Sequence, residues 1–175
     1  MLDTPVDAFF HPEGTAHALL VGVNRYVSAP DLKGACNDAK AWRHLLLTSG
    51  WKMNNIKVLE DGQATKAKVI RGLRWLLSGR GPKDSLLFHF SGHGSWTRTP
   101  EGWQCCICCA DYSQDGDAAA GVITNTEYQM ELVRAPAGVT LLCVLDSCFS
   151  GGMSPNCRPL RRLPAQVRKL LFEGH

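Results

Sequence analysis

The chain has 175 residues, 45% of them hydrophobic and 20% charged, with a formal net charge of +3. That composition supports one compact domain with a sizeable core and excludes an intrinsically disordered chain. So small a net charge gives no nucleic-acid footprint. No apolar run reaches the roughly 20 residues needed to span a bilayer.

The opening stretch, Met1 to Gly14, lacks both the basic start and the apolar core of a secretory leader, so a cytoplasmic, membrane-free location is expected. His17 to Asn24 is a short apolar run closed by turn formers and reads as a buried strand. Asp38 to Ser49 follows as a helix, with Ala39, Trp42, Leu45 and Leu46 at three- and four-residue spacing and Gly50 placed to end it. Ile56 to Leu59 is a second strand. Thr65 to Leu77 is a second helix, with Val69, Ile70, Leu73 and Leu76 along one face. Ser85 to Phe90, Cys105 to Ala110 and Val139 to Leu145 are three further strands, and a short helix lies near Thr126 to Val133. The stretches 97–104 and 113–121, and everything after Gly151, read as loop.

Strand alternating with helix, with the strands continuously apolar, is the pattern of a mostly parallel sheet covered by helices on both faces. Function in such sheets gathers beyond the carboxyl ends of the strands. Two of those ends carry chemistry. One is Phe90-Ser-Gly-His-Gly-Ser95, where the glycines beside His93 suggest a sharp turn that exposes the imidazole. The other is Leu145-Asp-Ser-Cys-Phe-Ser-Gly-Gly152, with Cys148 just past its strand. If the strands are neighbours, His93 and Cys148 face each other. An imidazole beside a thiol can raise its thiolate fraction or take its proton during attack, and can later protonate a leaving amine. The amides of Gly94 and Cys148 are candidate oxyanion donors.

These motifs resemble the His and Cys motifs of the metacaspases, within the caspase-like peptidases. His93 precedes Cys148 by the separation of about 50 residues found in caspases. The likeness runs from about Ala16 to Met153. It includes Ala18-Leu-Leu-Val-Gly-Val-Asn24, Leu32-Lys-Gly-Ala-Cys-Asn-Asp38 and Asp84-Ser-Leu-Leu-Phe-His-Phe-Ser-Gly-His-Gly94. It implies an α/β caspase-like three-layer sandwich and cleavage after Arg or Lys by a Cys148–His93 dyad. Asp38 and Asp146 then match the acidic pocket base and Ser91 a pocket-lining serine. Two carboxylates at a cleft favour a cationic side chain on physical grounds as well. For Asp38 the competing reading is a helix N-cap.

Three features depart from the family pattern. The calcium-binding aspartates of many metacaspases are replaced by Gln104, Asn125, Thr126 and Pro155, so neither calcium nor any other cofactor is expected; Asp115 and Asp117 read as an exposed acidic loop. Phe149 stands where a histidine commonly follows the nucleophile. The likeness covers the large catalytic subunit alone, which leaves a small subunit or a homodimer as possible partners alongside protein or peptide substrates.

The expected organisation is an N-terminal extension over 1–14, a catalytic domain over 15–155, and a basic tail or linker over 156–175 carrying Arg158, Arg161, Arg162, Arg168 and Lys169. Two rival readings come from other classes. One is a catalytically silent caspase-like scaffold. The other is structural zinc on Cys105-Cys-Ile-Cys-Cys109, but strand alternation would point those thiols to opposite faces, so four could not converge on one ion. The chain has eight cysteines, and the placement of Cys105, Cys106, Cys108, Cys109 and Cys143 in apolar runs fits reduced, buried thiols better than a disulfide framework.

Overall fold

The computed structural model describes residues 5–115 and 118–148. Six strands form one sheet: β1 (Ala16–Gly22), β2 (Ile56–Glu60), β3 (Ser85–Thr99), β4 (Gly102–Asp115), β5 (Ala118–Thr124) and β6 (Thr140–Cys148). The order is β2-β1-β3-β4-β5, with β6 also paired to β3. Pairings β1–β2, β1–β3 and β3–β6 are parallel, whereas β3–β4 and β4–β5 are antiparallel.

Helices α1 (Pro5–Phe10) and α2 (Ala35–Thr48) cover one face, and α3 (Lys66–Leu77) and α4 (Asn125–Leu132) cover the other. Alternation within the strands sorts the core accordingly. Ala18, Leu20 and Leu87 pack with Ala39 and Leu46 of α2. Leu19, Val21, Leu86 and Phe88 pack with Val69, Leu73 and Leu76 of α3 and Leu132 of α4. The expected α/β three-layer sandwich is the observed architecture.

Helix starts are held by different means. The Thr124 hydroxyl and the Glu127 carboxylate close a capping box on α4. Thr65 flanks α3 without a side-chain bond, and Asp111 of β4 instead accepts the Lys66 amide at 2.8 Å.

The largest difference from the sequence reading concerns β3. It does not stop at Phe90 and turn at His93; it stays extended through Ser-Gly-His-Gly to Thr99. Its backbone changes partner instead of direction. It pairs with β1 as far as Ser91 and with β6 as far as His93, then takes up β4 from Gly94 onward. A continuous supply of strand partners removes any need to turn. The two stretches read as loops, 97–104 and 113–121, are largely β3–β4 and β4–β5 hairpin. The β4–β5 register shifts between Cys108 and Ser113. Gly121 sits opposite that irregularity at φ +66, where a Cβ would lie 2.3 Å from the Asp111 carbonyl oxygen.

Candidate active site

The β3–β6 register fixes the site. Ser91 pairs with Asp146, Gly92 with Ser147 and His93 with Cys148. Neighbouring strands lie about 4.8 Å apart, so the two halves of the expected dyad occupy facing positions on adjacent strands. His93 lies within β3 and Cys148 is the last described residue of β6, so both sit inside strands where the sequence suggested turns just beyond them.

His93 is held from two sides by the segment after β1. Its Nε2 lies 2.8 Å from the carbonyl oxygen of Pro30. A carbonyl can only accept, so Nε2 carries a proton, and in the neutral tautomer Nδ1 holds the lone pair. The His93 amide donates to Tyr26 Oη at 2.8 Å, and the two rings lie 4.8 Å apart. Gly92 makes room for this contact, since a Cβ there would lie 2.6 Å from Tyr26 Oη and 2.9 Å from the Phe90 ring. The glycine before His93 thus serves close approach, and its φ is not positive.

On the same face, Ser91 Oγ donates to Asp38 Oδ2 at 2.8 Å. Helix α2 begins at Ala35 behind Gly34, so Asp38 lies in its first turn and is not the N-cap. Its carboxylate is turned to β3 and is also favoured at that end of the helix. Asp146, exposed, stands beside Ser91 across the strand pair. The expected pocket residues Asp38, Ser91 and Asp146 are therefore brought together, Ser91 and Asp146 two strand positions from the His93–Cys148 pair.

Beneath them is His89, 1% exposed, with its ring 5.7 Å from Trp42 of α2. Burial pushes its pKa down to about 4, against the pull of Asp38 and Asp146. The ring is neutral near pH 7, and its Nδ1 has no hydrogen-bond partner.

Gly94 is buried at the switch from β6 to β4, opposite Ile107. Two of the positions where calcium ligands were sought, 104 and 126, are also close together. Gln104 Oε1 accepts the Thr126 amide at 3.4 Å, and Gln104 Nε2 donates to Thr99 Oγ1 at 3.3 Å. A neutral amide there offers little to a hard dication. Pro155, Asp117, Phe149 and the arginines of the tail lie outside the described residues. Cys36, Cys106, Cys108, Cys109 and Cys143 are free thiols. Cys106 and Cys108 pack with Tyr112 and Val122, whereas Cys109 lies in the core with Cys143, so strand alternation divides these thiols as expected. Among the described residues no cluster of three or more His, Cys, Asp or Glu suits a metal.

Sequence reasoning missed Tyr26, Pro30, Asp61 and His89. Only His89 left a trace, a histidine inside an otherwise apolar strand.

A sheet with a parallel centre, helices on both faces and a His–Cys register pair on adjacent strands defines the caspase-like class. The sequence matches the family described as metacaspase, peptidase C14 domain, over residues 16–156, and the chain belongs to that family. It is 32% identical to Metacaspase-3 of Trypanosoma cruzi over 161 residues, covering 85% of this chain and 44% of that protein. It is 36% identical to Metacaspase-1 of Scheffersomyces stipitis over 151 residues, covering 79% and 36% of the two chains. Against Metacaspase-1 of Arabidopsis thaliana the identity is 34% over 154 residues, covering 81% and 41%. The chain thus spans less than half the length of these curated relatives. Among solved structures, protein GSU0716 from Geobacter sulfurreducens superposes with a TM-score of 0.66 at 25% identity, covering 79% of this chain and 52% of that one.

Proposed function

We propose that this chain carries the catalytic centre of a cysteine endopeptidase that cleaves after Arg or Lys, with Cys148 as nucleophile and His93 as base. The observation that carries the reading is the β3–β6 register, which sets His93 opposite Cys148 and Ser91 opposite Asp146. His93 Nδ1 takes the thiol proton as sulfur attacks the scissile carbonyl. The C=O π electrons move to oxygen, and the resulting oxyanion is met by backbone N–H donors, for which Gly94 and Cys148 are the candidates. Collapse breaks the C–N bond while the imidazolium returns the proton to the leaving amine, which gives a thioester. Water, deprotonated by His93, then releases the acid and restores the thiol. Asp38 and Asp146 hold the cationic side chain before the scissile bond, with Ser91 fixing Asp38.

The same reading makes the enzyme calcium-independent, on the strength of the neutral Gln104–Thr126 contact. The domain spans 15–155, and the free cysteines suit a reducing compartment such as the cytoplasm. Among the described residues β6 pairs with β3 alone, so a small subunit or a second copy would extend the sheet at that edge.

The test is hydrolysis of fluorogenic peptides ending in Arg, Lys or Asp, with and without a calcium chelator, for wild type and Cys148→Ala. Chelator-insensitive cleavage after Arg and Lys, abolished in the variant, is expected. Silence on all three peptides, persisting when a small-subunit polypeptide is added, would favour a non-catalytic scaffold.

A further inference from the structure

The segment that holds His93 has little apolar packing of its own. Between Asn24 and Leu32, Val27 is 76% exposed, Arg25, Ser28 and Pro30 are exposed, and only Tyr26 and Ala29 pack against the core. Yet this segment supplies both contacts to His93, the Pro30 carbonyl and the Tyr26 hydroxyl. What fixes it is polar. Leu32 donates its amide to the Asn24 carbonyl at 2.7 Å and closes the loop. At its root a single carboxylate oxygen, Asp61 Oδ1, accepts the amides of Asn24 at 2.8 Å and Arg25 at 3.0 Å, and the Cys36 thiol at 3.5 Å.

We propose that Asp61 is a positioning residue for His93: by anchoring the amides of Asn24 and Arg25 it places Tyr26 and Pro30, which fix the orientation and tautomer of the imidazole. Asp61 follows β2 and belongs to no element that reaches the His93–Cys148 pair, so it touches neither substrate nor reacting atoms. Its backbone lies at φ +44, in the left-handed region that Asp and Asn tolerate better than most residues. Although burial opposes the charge, the Asn24 and Arg25 amides hold its carboxyl below the usual range. A carboxylate accepting two amides at the base of a weakly packed loop is the kind of contact on which loop position depends. The alternative, that Asp61 merely stabilises the end of β2, predicts no effect on the His93 ring.

The kinetic half of the test rests on the peptidase reading; the spectroscopic half does not. Three forms of the full chain are compared: wild type, Asp61→Gly, which tolerates the positive φ but accepts nothing, and Asp61→Asn, which keeps the oxygen acceptor. Long-range ¹H–¹⁵N correlation of the His93 ring is expected to show the Nε2–H tautomer in wild type and Asp61→Asn, and a tautomer mixture in Asp61→Gly. For Arg peptides, kcat/KM is expected to fall about 100-fold in Asp61→Gly, mainly in kcat, the scale of loss that follows misplacement of a catalytic group. Asp61→Asn should recover most of it. If the glycine variant does not fold, Asp61→Ser, whose short oxygen can hold at most one of the two amides, is read in the same way. A folded variant lacking the acceptor that keeps the Nε2–H tautomer overturns the proposal, as does an Asp61→Asn variant that fails like the glycine one. If wild type cleaves nothing even with a small-subunit polypeptide added, the peptidase reading fails while the tautomer still decides the role of Asp61.

Discussion

The hydrogen bond from Ser91 Oγ to Asp38 Oδ2, 2.8 Å long, ties β3 to the first turn of α2 two residues before His93. It joins the strand that carries His93 to a helix that carries a carboxylate, and the strand register adds Asp146 beside it. On the proposed reading the carboxylates of Asp38 and Asp146 bind substrate without touching the reacting atoms, so removing either charge should leave the chemistry intact.

That separation gives the first prediction. Asp38→Asn keeps an oxygen able to accept from Ser91 while removing the negative charge. A hydrogen bond to a charged group contributes about 1.5–3 kcal/mol, so kcat/KM for Arg peptides should fall roughly 10- to 100-fold in Asp38→Asn and in Asp146→Asn. Reactivity of Cys148 toward a small neutral alkylating agent should stay within about twofold of wild type. Parallel loss of both readouts would mean that the carboxylates hold the fold and not the substrate.

His89 gives the second prediction. Its folded pKa is about 4 because burial disfavours the cation, whereas an unfolded histidine titrates near 6.5. Between those values the unfolded chain binds more protons, so stability rises with pH across that window and falls as pH drops through it. Above about 6.5 both states are neutral and the group contributes nothing. The loss by pH 4 is on the order of 3 kcal/mol. Denaturant melts at pH 4.5 and 7 should show it, and His89→Phe, which keeps a ring against Trp42, should flatten that part of the profile. An unchanged slope in the variant would remove His89 as its source.

Gly92 gives the third. A methyl there meets Tyr26 Oη at 2.6 Å and the Phe90 ring at 2.9 Å, and overpacking of this kind costs about 1–3 kcal/mol. Gly92→Ala should lower the denaturation midpoint by a matching amount. Adding Tyr26→Phe removes the oxygen nearest the new methyl, so the double variant should be more stable than the two single effects sum to. Strict additivity would show that Tyr26 is not what the methyl strikes.

Much of this was legible in the sequence, for reasons that differ between parts. The alternate faces of His17 to Asn24 and Ser85 to Phe90 are apolar, so strands buried on both sides followed directly, as did the helices with Val69, Leu73 and Leu76 or Ala39 and Leu46 in line. His93 and Cys148 stood out as candidates because motifs place them at strand ends, whereas Asp38, Ser91 and Asp146 followed from the family resemblance. What could not be read was backbone pairing. Ser-Gly-His-Gly looks like a turn until β4 is known to take up the strand at Gly94, and the small, polar residues 113–121 look like a loop until Asp115 and Ala118 are seen to pair. Tyr26, Pro30 and Asp61 act through main-chain groups far apart in sequence, and no local pattern reports such contacts.

The last prediction concerns the face opposite the site. Glu131, 5% exposed, shares the Arg74 Nε–H between its two oxygens at 3.1 Å each, accepts Nη2 at 2.6 Å, and pairs with Arg134 at 3.2 Å. The Arg74 bonds hold its carboxyl below the ordinary value. A depressed carboxylate contributes stability that is present above its unfolded pKa, near 4.5, and is lost as pH falls through the folded one. This window opens near 4.5, at the acid end of that of His89, so the two can be told apart by titration. Glu131→Gln removes the charge from a buried position tying α4 to α3, and loss of a buried charged partner costs about 1–3 kcal/mol. The variant should show that destabilisation at pH 7 and progressively less of it below pH 4, measured by denaturant midpoint. Cleavage of Arg peptides should be unchanged at pH 7 and low temperature, because no residue of this network contacts the His93–Cys148 pair. A deficit that stayed constant down to pH 3 would show that packing, and not the charge on Glu131, joins the two helices.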